Sequence, residues 1–163
     1  MIFSILNDID SETVNLFTAF LNDAESDPNK KHNIEILLNS NGGEPAHGNI
    51  ILYMINERKE RVTLIAYGQI YSAAFELYIL AQCDKKILPY TTAMYHRATQ
   101  EITITSGNKP QTTAEKASLQ ALIANEAVTK KVCGLTKMSE QEKADIFNDK
   151  DVYFSYERLL EIL

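Results

Sequence analysis

The amino-acid sequence predicts an α/β fold in which strands and helices alternate along the chain and the strands run parallel. The run from Ile34 to Leu38 is almost wholly apolar and is bounded by turn residues, as in a strand covered on both faces. Stretches with helical apolar spacing follow such runs after connections of only a few residues. This alternation favours parallel strands joined by right-handed crossovers. The length of 163 residues suits one domain, residues 1–163, with a substantial core.

The first half of the chain contains three strand–helix units. Each predicted helix opens at a residue suited to a helix N-terminus: Asp10 or Ser11, Pro45, and Ser72. The predicted elements are a strand at 2–6, a helix from 10 or 11 to the turn at 27–29, a strand at 34–38, a helix from 45 to about 57, a strand at 62–67 that stops at Gly68, and a helix from 72 to about 82.

The second half departs from this alternation. Two short strands at 86–88 and 93–95 are separated by Pro89, and residues 101–105 alternate between apolar and polar like a two-sided strand. One long helix is predicted from 113 to about 132, and two short helices at 139–146 and 156–163 close the chain. A strand followed by a long helix, here about 99–132, often serves assembly, so we expect a homo-oligomer.

Composition excludes several functional classes. The net charge of −6, without a long Lys/Arg cluster, argues against nucleic-acid binding. No apolar run is long enough to span a bilayer, and the N-terminus lacks a signal-like block, so a cytoplasmic protein is expected. Cys83 and Cys133 match neither a disulfide framework nor a metal-binding spacing, so we expect two buried thiols and no metal or cofactor.

A candidate nucleophile, Ser72, follows the strand at 62–67 and Gly68 and precedes an apolar helix. A serine hydroxyl needs an adjacent base to attack a carbonyl. The small residues Ala73 and Ala74 leave room for a substrate backbone. The alternative is that Ser72 only caps the helix, a common role for serine.

A candidate oxyanion-binding turn lies upstream, at Asn39-Ser40-Asn41-Gly42-Gly43. Two glycines between a buried strand and a helix leave backbone N–H groups unobstructed at the positive end of the helix dipole. If the strands at 34–38 and 62–67 are neighbours, Gly43 and Ser72 share one crevice at the carboxyl ends of the strands. A plain strand-to-helix turn is the alternative.

Three histidines are candidates for the general base. His96 follows the strand at 93–95 and can point into the same crevice, whereas His32 lies in a polar loop and is expected to be solvated. His47 lies early in the helix after Gly43 and either faces substrate or has no role in the reaction. The acid that would orient the base remains open at this stage among three aspartates near the C-terminus: Asp145, Asp149 and Asp151.

Together these motifs resemble the proteolytic subunit of the Clp protease. The family pattern is an Asn-Ser-Pro-Gly-Gly turn, a Gly-Gln-Ala-Ala-Ser turn and an apolar pair before a histidine. The matching segments are Asn39 to Gly43, Gly68 to Ser72 and Met94 to His96, and the gaps between Gly43, Ser72 and His96 (72 − 43 = 29 and 96 − 72 = 24 positions) match the family closely. The match covers nearly the whole chain. Three motifs in the correct order are far more specific than any one of them.

The resemblance implies a serine peptidase with the Clp/crotonase-like fold, a stacked ββα superhelix with a protruding handle at about 99–132. It implies Ser72 as nucleophile, His96 as base and the backbone N–H groups of Gly43 and Ala73 as oxyanion hole. The family's acid lies four residues before a serine that precedes the last helix, which here gives Asp151 before Ser155. Expected partners are peptides or unfolded chains and further copies of the chain in stacked rings.

The chain departs from the family pattern at several positions. Asn41 replaces the turn proline, Arg97 stands where the family has an amide, and the segment after His96 is several residues longer. The sequence begins at the first strand, which places coupling to an ATPase unfoldase in question. Three alternatives remain: a catalytically silent homologue, a phage-type head maturation protease of the same fold, and a crotonase-like acyl-CoA enzyme.

Overall fold

The computed structural model describes residues 1–26, 33–98 and 113–163, which form six strands and six helices. The strands are β1 (Ile2–Ile5), β2 (Ile34–Ser40), β3 (Val62–Tyr71), β4 (Asp84–Ile87), β5 (Thr92–Tyr95) and β6 (Val152–Phe154). The helices are α1 (Ser11–Ser26), α2 (Pro45–Asn56), α3 (Ala73–Leu80), α4 (Thr113–Leu135), α5 (Glu140–Phe147) and α6 (Tyr156–Ile162). The predicted turn at 27–29, His32 and the predicted strand at 101–105 lie outside the described residues.

One mixed sheet organises these elements, with the strand order β1-β2-β3-β5-β6 and with β4 also paired to β3. Strands β1 to β5 pair in parallel, which confirms the predicted strand direction and the predicted adjacency of β2 and β3. Strand β6 pairs antiparallel with β5 and was not predicted. Three residues between a turn and a helix give too short a pattern to reveal a strand.

The hydrophobic core lies between the sheet and the helices packed on it. Strand β2 alternates strictly, with every second side chain buried from Ile34 to Ser40 and the intervening ones half-buried. Fully buried aromatic rings fill the centre, where Phe75 stacks on Phe154 with ring centroids 5.7 Å apart. The prediction that β2 is covered on both faces therefore holds for one face only.

The end of β3 differs from the prediction. Gly68 does not stop the strand, which continues to Tyr71 with a register shift opposite Leu38 and Ser40. Gly68 has φ +68°, and a Cβ at this position would lie 2.9 Å from the Asn39 side-chain oxygen. That oxygen accepts a hydrogen bond of 3.1 Å from the N–H of Gln69. Gly68 therefore permits the register shift within β3, and the strand continues to Tyr71, directly before Ser72.

The long helix α4 runs three residues beyond its predicted end. Its C-terminal part joins the core through Val132 and Cys133, whereas Leu119 and Ile123 in its N-terminal part are exposed. The strand expected at the start of the handle lies outside the described residues. Among the described residues, no helix combines the length and the apolar character that crossing a bilayer requires.

Helices α5 and α6 flank β6 and are tied together by one ion pair. Arg158 donates to both carboxylate oxygens of Glu142, from Nε at 3.0 Å and from Nη2 at 2.7 Å. Glu142 also closes a capping box with Ser139 at the start of α5. The hydrogen bonds from Arg158 lower the pKa of Glu142 to about 2. This ion pair connects α5 and α6 on either side of β6, the strand that directly follows Asp151.

Candidate active site

Ser72 lies on a tight turn between β3 and α3. Its backbone has φ 51° and ψ −120°, a conformation that residues with a side chain rarely adopt, and its N–H donates to the carbonyl of Met94 at 2.8 Å. The Ser72 hydroxyl does not cap the helix; within the described residues its Oγ lies 2.7 Å from Nε2 of His96. The turn thus directs the hydroxyl towards a potential base, and not towards the N–H groups of α3.

The Gly42-Gly43 turn lies directly against Ser72. A Cβ on Gly42 would be 2.8 Å from the Ser72 Cβ and 3.0 Å from the Ala73 nitrogen, and φ at Gly42 is +103°. Gly43 forms a parallel bridge with Ile9 that uses the carbonyl of Gly42 and the N–H of Glu44. That bridge does not use the N–H of Gly43, and the N–H of Ala73, at the first position of α3, has no acceptor within its own helix.

The β5–β6 ladder brings His96 and Asp151 together. Its antiparallel register pairs Ala93 with Phe154, Met94 with Tyr153 and Tyr95 with Val152, so one further step places His96 opposite Asp151. The His96 Nδ1 lies 3.1 Å from the Asp151 Oδ1. The side chains of His96 and Asp151 are 37% and 50% exposed, so this pair stands at the protein surface. Ser72, His96 and Asp151 therefore form a continuous hydrogen-bonded row.

The three candidate aspartates have three different partners. Asp151 contacts His96, Asp149 accepts three hydrogen bonds from the Arg97 guanidinium, and Asp145 pairs with Lys150 at 2.7 Å. Asp145 also accepts a hydrogen bond from Gln141. The hydrogen bond from Lys150 lowers the pKa of Asp145, as the bond from Gln141 does to a smaller extent. Only Asp151 of the three contacts a histidine in the described part of the chain.

A group of three polar side chains, those of Glu76, Thr129 and Tyr95, the residue directly before His96, was not predicted from the sequence. The hydroxyl of Tyr95, a fully buried residue, donates to Glu76 Oε1 at 2.9 Å and lies 3.4 Å from the hydroxyl of Thr129 on α4. Burial raises the pKa of Glu76, although the hydrogen bond from Tyr95 and, to a smaller extent, the proximity of His96 oppose that rise. The available signal for this carboxyl near the site was that Glu76 lies in the first turn of α3, four residues after Ser72.

His47 lies in the first turn of α2, and its Nδ1 is 3.0 Å from a carboxylate oxygen of Glu44. It contacts neither Ser72 nor His96 among the contacts described here, so the structure does not bring it into the row of Ser72, His96 and Asp151. Both cysteines are free thiols; Cys133 is buried, whereas Cys83 is partly exposed. The expectation of two buried thiols is thus met at one position.

Comparison with known proteins assigns the class. The sequence model of the Clp protease family matches residues 1–156. The chain therefore belongs to the Clp protease family, a family of peptidases, and the mixed sheet with its helices is the Clp/crotonase-like fold. Members of this family generally form oligomeric rings and act on peptide substrates. A search among curated proteins finds no matching relative.

Proposed function

We propose that this protein is a serine endopeptidase that cleaves peptides or unfolded chains with a Ser72–His96–Asp151 triad. The observation that carries the proposal is the 2.7 Å contact between the Ser72 hydroxyl and His96 Nε2, continued by the 3.1 Å contact to Asp151. A serine beside a base that is itself oriented by a carboxylate is the arrangement that activates a hydroxyl for acyl transfer. Membership of a peptidase family supplies the substrate class.

In the first half of the reaction, Ser72 Oγ forms a bond to the scissile carbonyl carbon while its proton passes to His96 Nε2. Asp151 accepts a hydrogen bond from the Nδ1–H of His96 and stabilises the imidazolium that forms. The electron pair displaced from the carbonyl double bond collects on oxygen. The N–H groups of Gly43 and Ala73 are the donors we assign to that oxyanion, because both lie at the turn that contacts Ser72 and neither has an acceptor among the described residues.

In the second half, the tetrahedral intermediate collapses and the carbon–nitrogen bond breaks. The proton on His96 Nε2 goes to the leaving amine, and an acyl group remains on Ser72. Water then repeats the sequence: His96 takes its proton, the oxygen attacks the ester carbon, and the carboxylic acid product leaves as Ser72 regains its proton. The reaction consumes the substrate and one water, and it regenerates the triad.

We further propose that the chain acts as a homo-oligomer of stacked rings that encloses its sites. Exposed apolar side chains on α4, Leu119 at 39% and Ile123 at 55%, support this, because such surface normally marks an interface. In an enclosed chamber, short peptides and unfolded chains reach Ser72 and folded proteins do not. Light scattering at micromolar concentration tests the assembly, and a monomer of about 18 kDa with full peptidase activity would contradict it.

The decisive experiment is mass spectrometry of the intact protein after treatment with a fluorophosphonate, alongside hydrolysis of a fluorogenic peptide. Wild type should gain one adduct, and Ser72→Ala should gain none and lose activity by several orders of magnitude. Ser26→Ala is the matched control, because within the described part of the chain the Ser26 hydroxyl bonds the Asn22 carbonyl at the end of α1. Peptidase activity that survives Ser72→Ala would overturn the proposal, and a folded wild type that never labels would indicate a catalytically silent homologue.

A further inference from the structure

The contact between His96 and Asp151 lies beyond the last pair of the β5–β6 ladder. The ladder ends at Tyr95 and Val152, so no backbone pairing of these two strands extends to His96 or Asp151. Both side chains are partly exposed, 37% for His96 and 50% for Asp151, so packing against neighbours restrains them only in part. The ladder places the two residues opposite each other but stops one pair short of them, so a further connection between the two segments would help the 3.1 Å contact to persist.

That connection is an ion pair one residue after His96 and two residues before Asp151. Arg97 donates to Asp149 from Nε at 3.0 Å and from Nη2 at 2.8 and 3.0 Å, so both carboxylate oxygens are engaged. A planar guanidinium bound to both oxygens of a carboxylate fixes orientation as well as distance. The pair thus spans the same two segments that present His96 and Asp151, just beyond the end of the ladder.

Asp149 carries a negative charge at a place in the backbone where glycine or asparagine is commoner. It follows α5, where its N–H bonds the carbonyl of Ile146, and it has φ 59°, a conformation in which glycine or asparagine is preferred. A negative charge at a helix C-terminus also faces the negative end of the helix dipole. The Arg97 guanidinium offsets that charge, so the aspartate is compatible with this turn because its partner is present.

We propose that Arg97 and Asp149 are positioning residues that hold His96 and Asp151 in register for the reaction. The inference rests on the proposed function of Ser72, His96 and Asp151. The side chains of Arg97 and Asp149 are 29% and 49% exposed, and exposed ion pairs contribute little to stability. The pair therefore acts on the geometry of the site far more than on the stability of the fold. A misplacement of about 1 Å in a catalytic group costs on the order of a hundredfold in rate.

The test compares kcat and KM for peptide hydrolysis in five variants. Arg97→Met keeps the aliphatic stem without the guanidinium, and Asp149→Asn removes the charge with a residue that tolerates the left-handed turn. The third variant combines both changes. Lys150→Met is the matched control, because it breaks the neighbouring Lys150–Asp145 pair without touching the Arg97–Asp149 pair.

We expect kcat to fall roughly ten- to hundredfold in Arg97→Met and in Asp149→Asn, with KM within about twofold of wild type. The double variant should be no worse than the poorer single variant, because both changes remove one interaction. Arg97→Lys should give an intermediate kcat, since an ammonium cannot bind both oxygens in one plane. Melting temperatures should stay within about 2 °C of wild type, and Lys150→Met should keep the wild-type kcat.

Wild-type kcat in Arg97→Met and Asp149→Asn would overturn the inference, as would additive losses in the double variant or an equal loss in Lys150→Met. The same assay is run on Ser72→Ala, so that the two proposals fail separately. Activity that survives Ser72→Ala overturns the proposed function. Activity that depends on Ser72 but not on Arg97 or Asp149 overturns only the positioning role.

Discussion

Replacing Asp151 by asparagine removes one charge from the site and leaves its shape. In the structure, Asp151 Oδ1 lies 3.1 Å from His96 Nδ1, and both side chains are partly solvated. Two unit charges about 4 Å apart attract by about 1 kcal/mol in water and about 4 kcal/mol near a protein surface. Loss of that attraction to the imidazolium corresponds to a factor of about 5 to 1,000 in rate.

A second effect adds to the electrostatic one. An asparagine can present its NH2 group to His96 and favour the tautomer whose Nε2 carries the proton and cannot accept another from Ser72. In a buried triad the two effects together amount to about 10⁴-fold in kcat. Because Asp151 is half-exposed, water weakens the electrostatic part, and we expect a loss of about 10³-fold in kcat/KM for Asp151→Asn.

The assay is the initial rate of fluorogenic peptide hydrolysis together with the second-order rate of fluorophosphonate labelling. Both should fall in Asp151→Asn, since both need Ser72 activated by His96. Asp145→Asn is the control: it removes a carboxylate from the same segment, but one that bonds Lys150 and Gln141. A wild-type rate in Asp151→Asn, or an equal loss in Asp145→Asn, would refute the assignment of the acid.

Three further perturbations follow from the structure. Gly42→Ala should abolish fluorophosphonate labelling and lower the melting temperature, because φ is +103° and the new Cβ would lie 2.8 Å from that of Ser72. Glu142→Gln keeps the cap but loses the charge paired with Arg158. Since the folded pKa of about 2 lies below the ordinary 4.5, that stabilisation exists above about pH 4.5 and is lost as the pH falls towards 2. Urea unfolding at pH 6 and 3 should therefore show wild type losing about 1–2 kcal/mol more than Glu142→Gln, and parallel losses would contradict this. Burial raises the pKa of Glu76, so its contribution to stability is complete below the ordinary pKa and declines as the pH rises through the folded value. Glu76→Gln should thus melt about 2–4 °C above wild type at pH 8, with a smaller difference at pH 4, and a lower melting temperature at pH 8 would count against it.

The sequence by itself determined the α/β class, the order of most elements and the pairing of Ser72 with His96. Apolar runs and helical spacing are local signals, so elements such as β2 and α2 were predicted with ends only one or two residues off. The serine and the histidine follow adjacent strands, β3 and β5, and their spacing within a known pattern was enough to associate them.

The residues by themselves left three aspartates open and the family resemblance favoured Asp151, but only the tertiary structure shows which aspartate faces His96. Asp145, Asp149 and Asp151 lie within seven residues of one another, and their local sequence gives each the same chemistry. The three aspartates differ in position because β6 pairs with β5, whose residues lie 57 to 61 positions earlier in the chain. A strand of three residues is too short for its periodicity to predict that pairing. The register of that antiparallel ladder sets Asp151 opposite His96. Asp149 instead accepts hydrogen bonds from Arg97. Long-range register depends on packing and on the end of each strand, and a single sequence records neither.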